Sequence, residues 1–160
     1  MSDTKKGDIV TPNSADQIGA ILFACNINAV RSAMAETMVK DAFPGKIFVD
    51  SCGVTPGIQD GFATAVMQEI GLDMSAHQPK SFDDLDSGFY DVIISFSPEA
   101  HAAAEALTQN MDCATLHWPV DNLANLTGSR EEMLRAYRHV RDDIRNKLSI
   151  YFGKPIAGNT

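Results

Sequence analysis

A cysteine followed at a short, defined distance by an arginine is the part of this sequence best suited to carry chemistry. The apolar run LFAC ends at Cys25, and Arg31 and Ser32 come six and seven positions later. If a strand ends at Cys25 and a helix begins near Arg31, the loop between them can wrap its backbone N–H groups around a tetrahedral anion. A thiolate in that positive field is a nucleophile facing a phosphate. The pattern therefore predicts cysteine-dependent chemistry on a phosphate or a similar oxyanion.

The residues of this loop are the predicted anion site. Arg31 would provide two coplanar N–H donors, and the Ser32 hydroxyl would form a hydrogen bond with the sulfur. Asn28 is the loop residue best suited to a left-handed backbone conformation. The predicted phosphate-binding residues are Asn26, Ile27, Asn28, Ala29, Val30, Arg31 and Ser32.

The surrounding sequence alternates apolar runs of strand length with segments of helical spacing. Buried strands are predicted at 20–25, 46–51, 90–97 and 114–118. Helices lie between and after them, one opened by Pro98 and one running from about Ser129 to Tyr151 behind a capping signature. This order predicts a three-layer α/β/α fold with a four-stranded parallel sheet. Ligands of such sheets bind where strand carboxyl ends meet helix amino ends, which is where the loop after Cys25 falls.

Composition and charge limit the other possibilities. The 160 residues fit one domain at 19–153 between flexible segments at 1–18 and 154–160. A net charge of −8 without clustered Lys and Arg argues against nucleic acid, and no apolar run approaches the roughly 20 residues of a membrane helix. Cys25, Cys52 and Cys113 form no C-x-x-C pair and the histidines are scattered, so we expect no metal and no cofactor. Reduced thiols and a polar start without a secretory signal predict a cytoplasmic protein of undetermined oligomeric state.

The stretch ILFACNINAVRSAMAE resembles the opening of the low-molecular-weight protein tyrosine phosphatases and of the arsenate reductases that share their fold. The family pattern is an apolar strand, then C-x-G-N-x-x-R-S, then M-A-E. The matching residues are Cys25, Asn28, Arg31, Ser32, Met34, Ala35 and Glu36. The similarity continues through VDSCGV, IGLDMSAHQPKSF and YDVIISFS and covers nearly everything from residue 19 to about 152.

The resemblance implies a reaction through a cysteinyl-phosphate intermediate that needs no metal. Cys25 would attack, Arg31 and the loop amides would bind the equatorial oxygens, and Ser32 would stabilise the thiolate. An aspartate on a distant loop would protonate the leaving oxygen and then activate water, and the candidate here is Asp121. The implied substrate is a phosphotyrosine protein or another small phosphomonoester.

Two positions near the site depart from the family pattern. The family glycine two residues after the cysteine is Ile27 here, so the loop either avoids a positive φ there or stores strain in a β-branched residue. The family acid belongs to an Asp-Pro pair, and counting from Trp118 puts Asn122 at that place, with Asp121 one position early. A missing general acid costs about 10² to 10⁴ in rate. Either Asp121 serves after a one-residue shift, or turnover is poor.

The arsenate reductase branch also uses two further cysteines at and just after the third strand, and this strand ends with Phe96 instead. Cys52 and Cys113 are expected to be structural thiols, with oxidation of Cys25 by Cys52 as an alternative. Trp118 is expected either in the core or at the wall of a pocket for an aromatic phosphoester. The function that the sequence favours is a cysteine-dependent phosphatase. The alternatives are a phosphate- or oxyanion-binding module without catalysis and an arsenate reductase that uses an external thiol.

Overall fold

A four-stranded parallel sheet organises the chain, as the sequence predicts. The computed structural model describes residues 18–85 and 89–158. The strands are β1 (Ala20–Ile27), β2 (Phe48–Thr55), β3 (Val92–Ser95) and β4 (Ala114–His117), and their order in the sheet is β2-β1-β3-β4. All three strand pairs are parallel, so the carboxyl ends of the strands lie along one edge.

The helices begin at the residue types that the sequence uses to start them. They are α1 (Arg31–Ala42), α2 (Gly61–Gln68), α3 (Pro98–Leu107) and α4 (Arg130–Phe152), with a 3₁₀ turn at Phe82–Asp84. Side chains cap three of them: Asp60 caps α2, Ser97 caps α3, and Ser129 forms the predicted capping box at α4. The residue before α1 is Val30, which provides no side-chain hydrogen bond. The helix that follows Cys25 therefore has no side-chain cap.

The core has a larger and a smaller part on the two faces of the sheet, which confirms the three layers. Phe23 and Ile94 face α1, α2 and α4, whereas Leu22 and Ile93 face α3. Trp118 is fully buried in the larger part, where its ring contacts the rings of Phe96 and Tyr151. Of the two expectations for Trp118, the structure supports the core position.

Strand β1 is longer than predicted. It continues past Cys25 to Ile27, because β2 runs to Thr55 and pairs with it, Cys25 opposite Gly53 and Ile27 opposite Thr55. Strand β3, in contrast, is shorter than its apolar run. Because β1 extends to Ile27 and α1 begins at Arg31, the loop between them is short.

Part of the segment 154–160, for which the sequence predicts a flexible tail, packs against the core. Ile156 is fully buried in the larger core, and its N–H donates to Ser149 Oγ at 3.2 Å. Gly153 ends α4 in the left-handed conformation at φ 69°, which turns the chain back toward the core. At the other end Ile18 is also buried, while residues 1–17 of the predicted N-terminal segment lie outside the described residues.

Two further searches concern only residues 18–85 and 89–158. Every helix in these ranges is too short or too polar to cross a bilayer. Their His, Cys, Asp and Glu side chains form no group of three that could hold a metal ion.

Replacement of Ile156 by Ala tests the buried tail. We expect Ile156→Ala to lower the free energy of unfolding by about 2 to 5 kcal/mol, because it opens a cavity in the core. Ile150→Ala is the matched control: Ile150 is 49% exposed, so its loss should cost less than about 1 kcal/mol. Urea unfolding followed by circular dichroism measures both, and equal stabilities of the two variants would contradict the packed position of Ile156.

Candidate active site

The thiol of Cys25 lies at the carboxyl edge of the sheet, directly below the start of α1. Its side chain is fully buried, and Sγ lies 2.9 Å from Ser32 Oγ in the first turn of the helix. The predicted hydrogen bond between Ser32 and the sulfur is therefore confirmed. The bond fixes the sulfur beside the uncapped amino end of α1, where the helix dipole favours negative charge.

At the centre of the loop between Cys25 and α1, the backbone is not arranged to bind an anion. The Cys25 thiol donates to the carbonyl oxygen of Ile27 at 2.9 Å, and the N–H of Ala29 donates to the same oxygen at 2.8 Å. The N–H of Asn28 donates away from the sulfur to Thr55 O at 3.3 Å. Of the predicted phosphate-binding residues, Asn28 and Ala29 thus direct their backbone donors to carbonyl groups of the chain.

The structure shows which backbone conformation Ile27 adopts in place of the family glycine. Among the described non-glycine residues only Ala157 has a positive φ, so Ile27 avoids that region by extending strand β1. Asn28 also has no positive φ, so the prediction that it adopts a left-handed conformation is wrong. Continued pairing with β2 holds the backbone in extended geometry through Ile27.

The buried side chain of Asn28 connects the loop to three other segments. Its Nδ2 donates to Ser32 Oγ at 2.8 Å and to Ser51 Oγ at 2.9 Å, and its Oδ1 accepts from the backbone N–H of Lys80 at 3.0 Å. The Asn28 carbonyl lies 3.0 Å from His77 Nε2. Ser51 also donates to the buried carboxylate of Glu36, so the network reaches into α1. The loop is a buried polar network, not a mobile surface turn.

The position of Arg31 is fixed by two backbone carbonyls. The side chain is nearly fully buried, and its Nη1 donates to Phe96 O and to Val120 O, both at 3.0 Å. Two coplanar donors to an anion must therefore come from Nε and Nη2. Burial lowers the pKa of the guanidinium, and the nearby Cys25, Glu99 and Asp121 oppose that shift. Arginine stays charged under such a shift, so the site keeps one fixed cation.

Two cavities meet at Arg31. The first, about 450 Å³, is lined by loop residues such as Ile27 and by Leu123. The second, about 350 Å³, lies toward the start of α3 and is lined by Glu99 and His117. Asn122 lines both cavities. Asn122, which counting from Trp118 puts at the position of the family acid, therefore borders the site, and its Oδ1 accepts from the N–H of Ala124 at 3.0 Å.

Asp121 lies in the same loop and is exposed. It is close enough to Arg31 to raise the pKa of the guanidinium against the effect of burial. Among the described residues, no hydrogen bond joins Asp121 to Cys25. The role of Asp121 as the general acid therefore stays a prediction.

An Asp–Tyr pair in the first cavity was not predicted. Tyr137 on α4 donates to Asp60 Oδ2 at 2.7 Å, while Asp60 Oδ1 accepts from two N–H groups of α2. Burial and this hydrogen bond raise the pKa of Tyr137. The sequence signals these two residues separately, Asp60 as a helix-capping residue and Tyr137 as part of an apolar helix face. Nothing in the sequence indicates that the two side chains form a contact.

Cys52 lies next to the site but on the opposite face of the sheet. Ala24 pairs with Cys52, and both belong to the smaller part of the core, whereas Cys25 belongs to the larger part. Burial raises the pKa of the Cys52 thiol, and nearby Cys25 and Asp50 raise it further. This placement supports the structural role expected for Cys52 and disfavours its oxidation with Cys25. Cys113 is half-buried and its pKa is also raised by burial.

A loop with a cysteine, an arginine and a serine between the first strand and helix of a parallel sheet defines a class of thiol enzymes that act on oxyanions. The chain belongs to the low molecular weight phosphotyrosine protein phosphatase family, whose model matches residues 20–156. This finding confirms the resemblance seen in the sequence.

Individual relatives include both branches of the family. The glutaredoxin arsenate reductase of Synechocystis sp. is 37% identical over 75 residues, so the match covers 47% of this chain and little more than half, 57%, of that protein. The arsenate reductase of Halalkalibacterium halodurans is 28% identical over 131 residues, 82% of this chain and 93% of that protein. The crystal structure of the tyrosine phosphatase AmsI of Erwinia amylovora has a TM-score of 0.70 at 16% identity, covering 91% and 97% of the two chains, and shows the shared fold.

The Asn28 network predicts a specific loss of stability. Asn28→Ala leaves the buried N–H of Lys80 and the hydroxyls of Ser32 and Ser51 without this partner, and we expect it to lower the free energy of unfolding by about 3 kcal/mol. Asn122→Ala removes an exposed amide and should change it by less than about 1 kcal/mol. Chemical denaturation compares the two, and a neutral Asn28→Ala variant would show that the network does not hold the loop.

Proposed function

We propose that the protein is an arsenate reductase in which Cys25 attacks arsenate and an external thiol completes the reduction. The observation that carries this proposal is the placement of Cys25 Sγ against Ser32 at the uncapped start of α1, without a second thiol on the same face of the sheet. The curated relatives support the proposal, because those at 37% and 28% identity are both named arsenate reductases.

The amino end of α1 supplies the binding energy for an oxyanion. The first N–H groups of a helix have no partner within the helix, and here no side chain caps them. Arg31 adds a fixed positive charge that is held in place by two carbonyl groups. A tetrahedral anion placed over Cys25 would accept from these donors, while Ser32 stabilises the thiolate that attacks it.

The leaving group favours arsenate over a phosphoester. A phosphoester expels an alkoxide or phenoxide, which needs a proton from the enzyme. Arg31 and Asn122 are shared by both cavities and neither is an acid, while the carboxyl groups of Asp60 and Glu99 each line only one of them. Near neutral pH part of the arsenate is the monoanion H₂AsO₄⁻, and both of its protons can depart with the expelled oxygen, which then leaves as water. A site with a weak acid therefore retains more activity on arsenate than on a phosphomonoester.

The electron balance requires a thiol from outside the chain. Cys25 first displaces water from arsenate and forms a sulfur–arsenic bond. A thiolate of the reductant then attacks the Cys25 sulfur, the electron pair of the broken bond stays on arsenic, and arsenite leaves. The resulting mixed disulfide is cleaved by a second thiol of the reductant, which restores Cys25. Cys52 cannot take the second role in this geometry because it lies behind the sheet, and Phe96 occupies the end of β3.

Phosphomonoester hydrolysis is the second candidate. It is favoured by the nearness of Asp121 to Arg31 and by the cavity of about 450 Å³ beside the loop, which is large enough for an aryl group. Hydrolysis would use the same attack by Cys25, with Asp121 protonating the leaving oxygen. A protein with neither activity that still binds phosphate would be the binding module that the sequence leaves open.

Arsenate-dependent oxidation of glutathione with a glutaredoxin, coupled to NADPH consumption, tests the first candidate. We expect turnover in the wild type and a loss of about 10⁴-fold or more in Cys25→Ser, because the nucleophile is removed. Cys52→Ser and Cys113→Ser are the matched controls and should keep activity close to that of the wild type. Loss of turnover in either control would mean an internal thiol relay and would contradict the external thiol.

The identity of the acid is tested with two phosphoesters that differ in leaving group. We expect slow hydrolysis of phenyl phosphate by the wild type and an increase of about 10² to 10⁴ in Asn122→Asp, since a carboxyl group then faces the site. The effect should be smaller for p-nitrophenyl phosphate, whose leaving group needs less protonation. Efficient wild-type hydrolysis of phenyl phosphate that is lost in Asp121→Asn would instead assign the acid to Asp121 and the function to a phosphatase.

A further inference from the structure

One peptide group closes the anion site in this structure. The carbonyl of Ile27 accepts from the Cys25 thiol at 2.9 Å, while the N–H of Asn28, on the other side of the same peptide group, donates to Thr55 O at 3.3 Å. The oxygen of this peptide group therefore faces the sulfur and its N–H faces away. An oxyanion over Cys25 needs the reverse, because it would be repelled by a carbonyl oxygen and bound by an N–H group.

The side chain of Ile27 packs closely against Gly57, next to this peptide group. Ile27 Cγ2 lies so close to Gly57 that a Cβ on Gly57 would stand 2.2 Å from it. Gly53 is in similar close contact, since a Cβ there would stand 2.4 Å from Thr55 O and 2.6 Å from Asn28 N. The two glycines let the backbone after β1 press against the end of β2. A β-branched residue such as Ile also favours the extended conformation that this pairing requires.

We propose that Ile27 acts as a latch, which means that it holds the loop in a conformation that blocks anion binding at Cys25. Rotation of the peptide group between Ile27 and Asn28 opens the site for an anion. The rotation withdraws the Ile27 carbonyl from Cys25, releases the N–H of Ala29 and turns the N–H of Asn28 toward the sulfur. It changes ψ of Ile27 and φ of Asn28, which then enters the positive region that Asn tolerates better than most residues. The inference rests on the proposed anion site at Cys25 and adds a conformational step before binding.

Ionisation of the thiol acts in the same direction. The contact with Ile27 O needs a proton on the sulfur, because the carbonyl oxygen only accepts. A thiolate would lose this bond and face the negative end of the carbonyl dipole. The latched loop therefore places a carbonyl oxygen against the sulfur, and the open loop would place an N–H donor there for the anionic substrate.

Alkylation of Cys25 by iodoacetamide measures the open form directly. In a Cys52→Ser, Cys113→Ser parent, where Cys25 is the remaining cysteine, we expect Ile27→Gly to raise the alkylation rate about tenfold, because it removes the packing on Gly57 and the preference for the strand. The affinity of the Ile27→Gly variant for inorganic phosphate, measured by calorimetry, should rise by a similar factor. Ile27→Val keeps the β-branch and should stay within about twofold of the parent. Ile27→Ala, which loses the contact with Gly57 but keeps a Cβ, provides the same test if the glycine variant fails to fold.

The outcomes separate the latch from the anion site. Equal alkylation rates in the parent and Ile27→Gly, with phosphate protecting Cys25 in both, would overturn the latch and leave the anion site standing. Faster alkylation in Ile27→Gly without protection by phosphate in either protein would support the latch and overturn the anion site. Faster alkylation together with tighter phosphate binding is the expected result.

Discussion

The buried amide of Asn28 is the interaction on which the rest of the site depends. It binds the first turn of α1 through Ser32, strand β2 through Ser51 and the segment before the 3₁₀ turn through the backbone of Lys80. A primary amide has both donors and acceptors, so it can satisfy three segments at once without introducing a charge. The same Ser32 that it positions holds the Cys25 sulfur. The orientation of the nucleophile is therefore set by a polar network in the interior.

The charge balance of the site follows from how Arg31 is buried. Its hydrogen bonds go to the carbonyls of Phe96 and Val120, which carry no net charge, and the carboxylates of Glu99 and Asp121 lie nearby without forming an ion pair with it among the described residues. The uncapped start of α1 adds to the positive potential. In a chain with a net charge of −8, Arg31 and the start of α1 thus provide positive potential at the carboxyl edge of the sheet, which favours a small anion there.

The chemical branch within the family depends on a few side chains around this shared centre. Counting from Trp118 puts the amide of Asn122 at the position of the family acid, with Asp121 one position early, and Phe96 follows the end of β3, where the internal relay of the reductase branch would begin. Cys52 is buried behind the sheet. These features argue against an internal thiol relay, and they leave Cys25 as the group that would attack the oxyanion in the proposed reaction. Reduction by an external thiol is the chemistry that makes the fewest demands on the missing groups.

The sequence by itself determined the order of strands and helices, because apolar runs, Pro98 and the capping residue Ser129 are local signals that act within a few positions. It also predicted the contact between Cys25 and Ser32, since these residues are brought together by one turn between adjacent elements. Only the tertiary structure decided the burial of the segment around Ile156, which depends on packing against the core. It alone decided that the peptide group after Ile27 faces inward with its oxygen. That orientation depends on Thr55 and Gly57, which are distant in the chain, and contacts of this kind leave no local pattern to read.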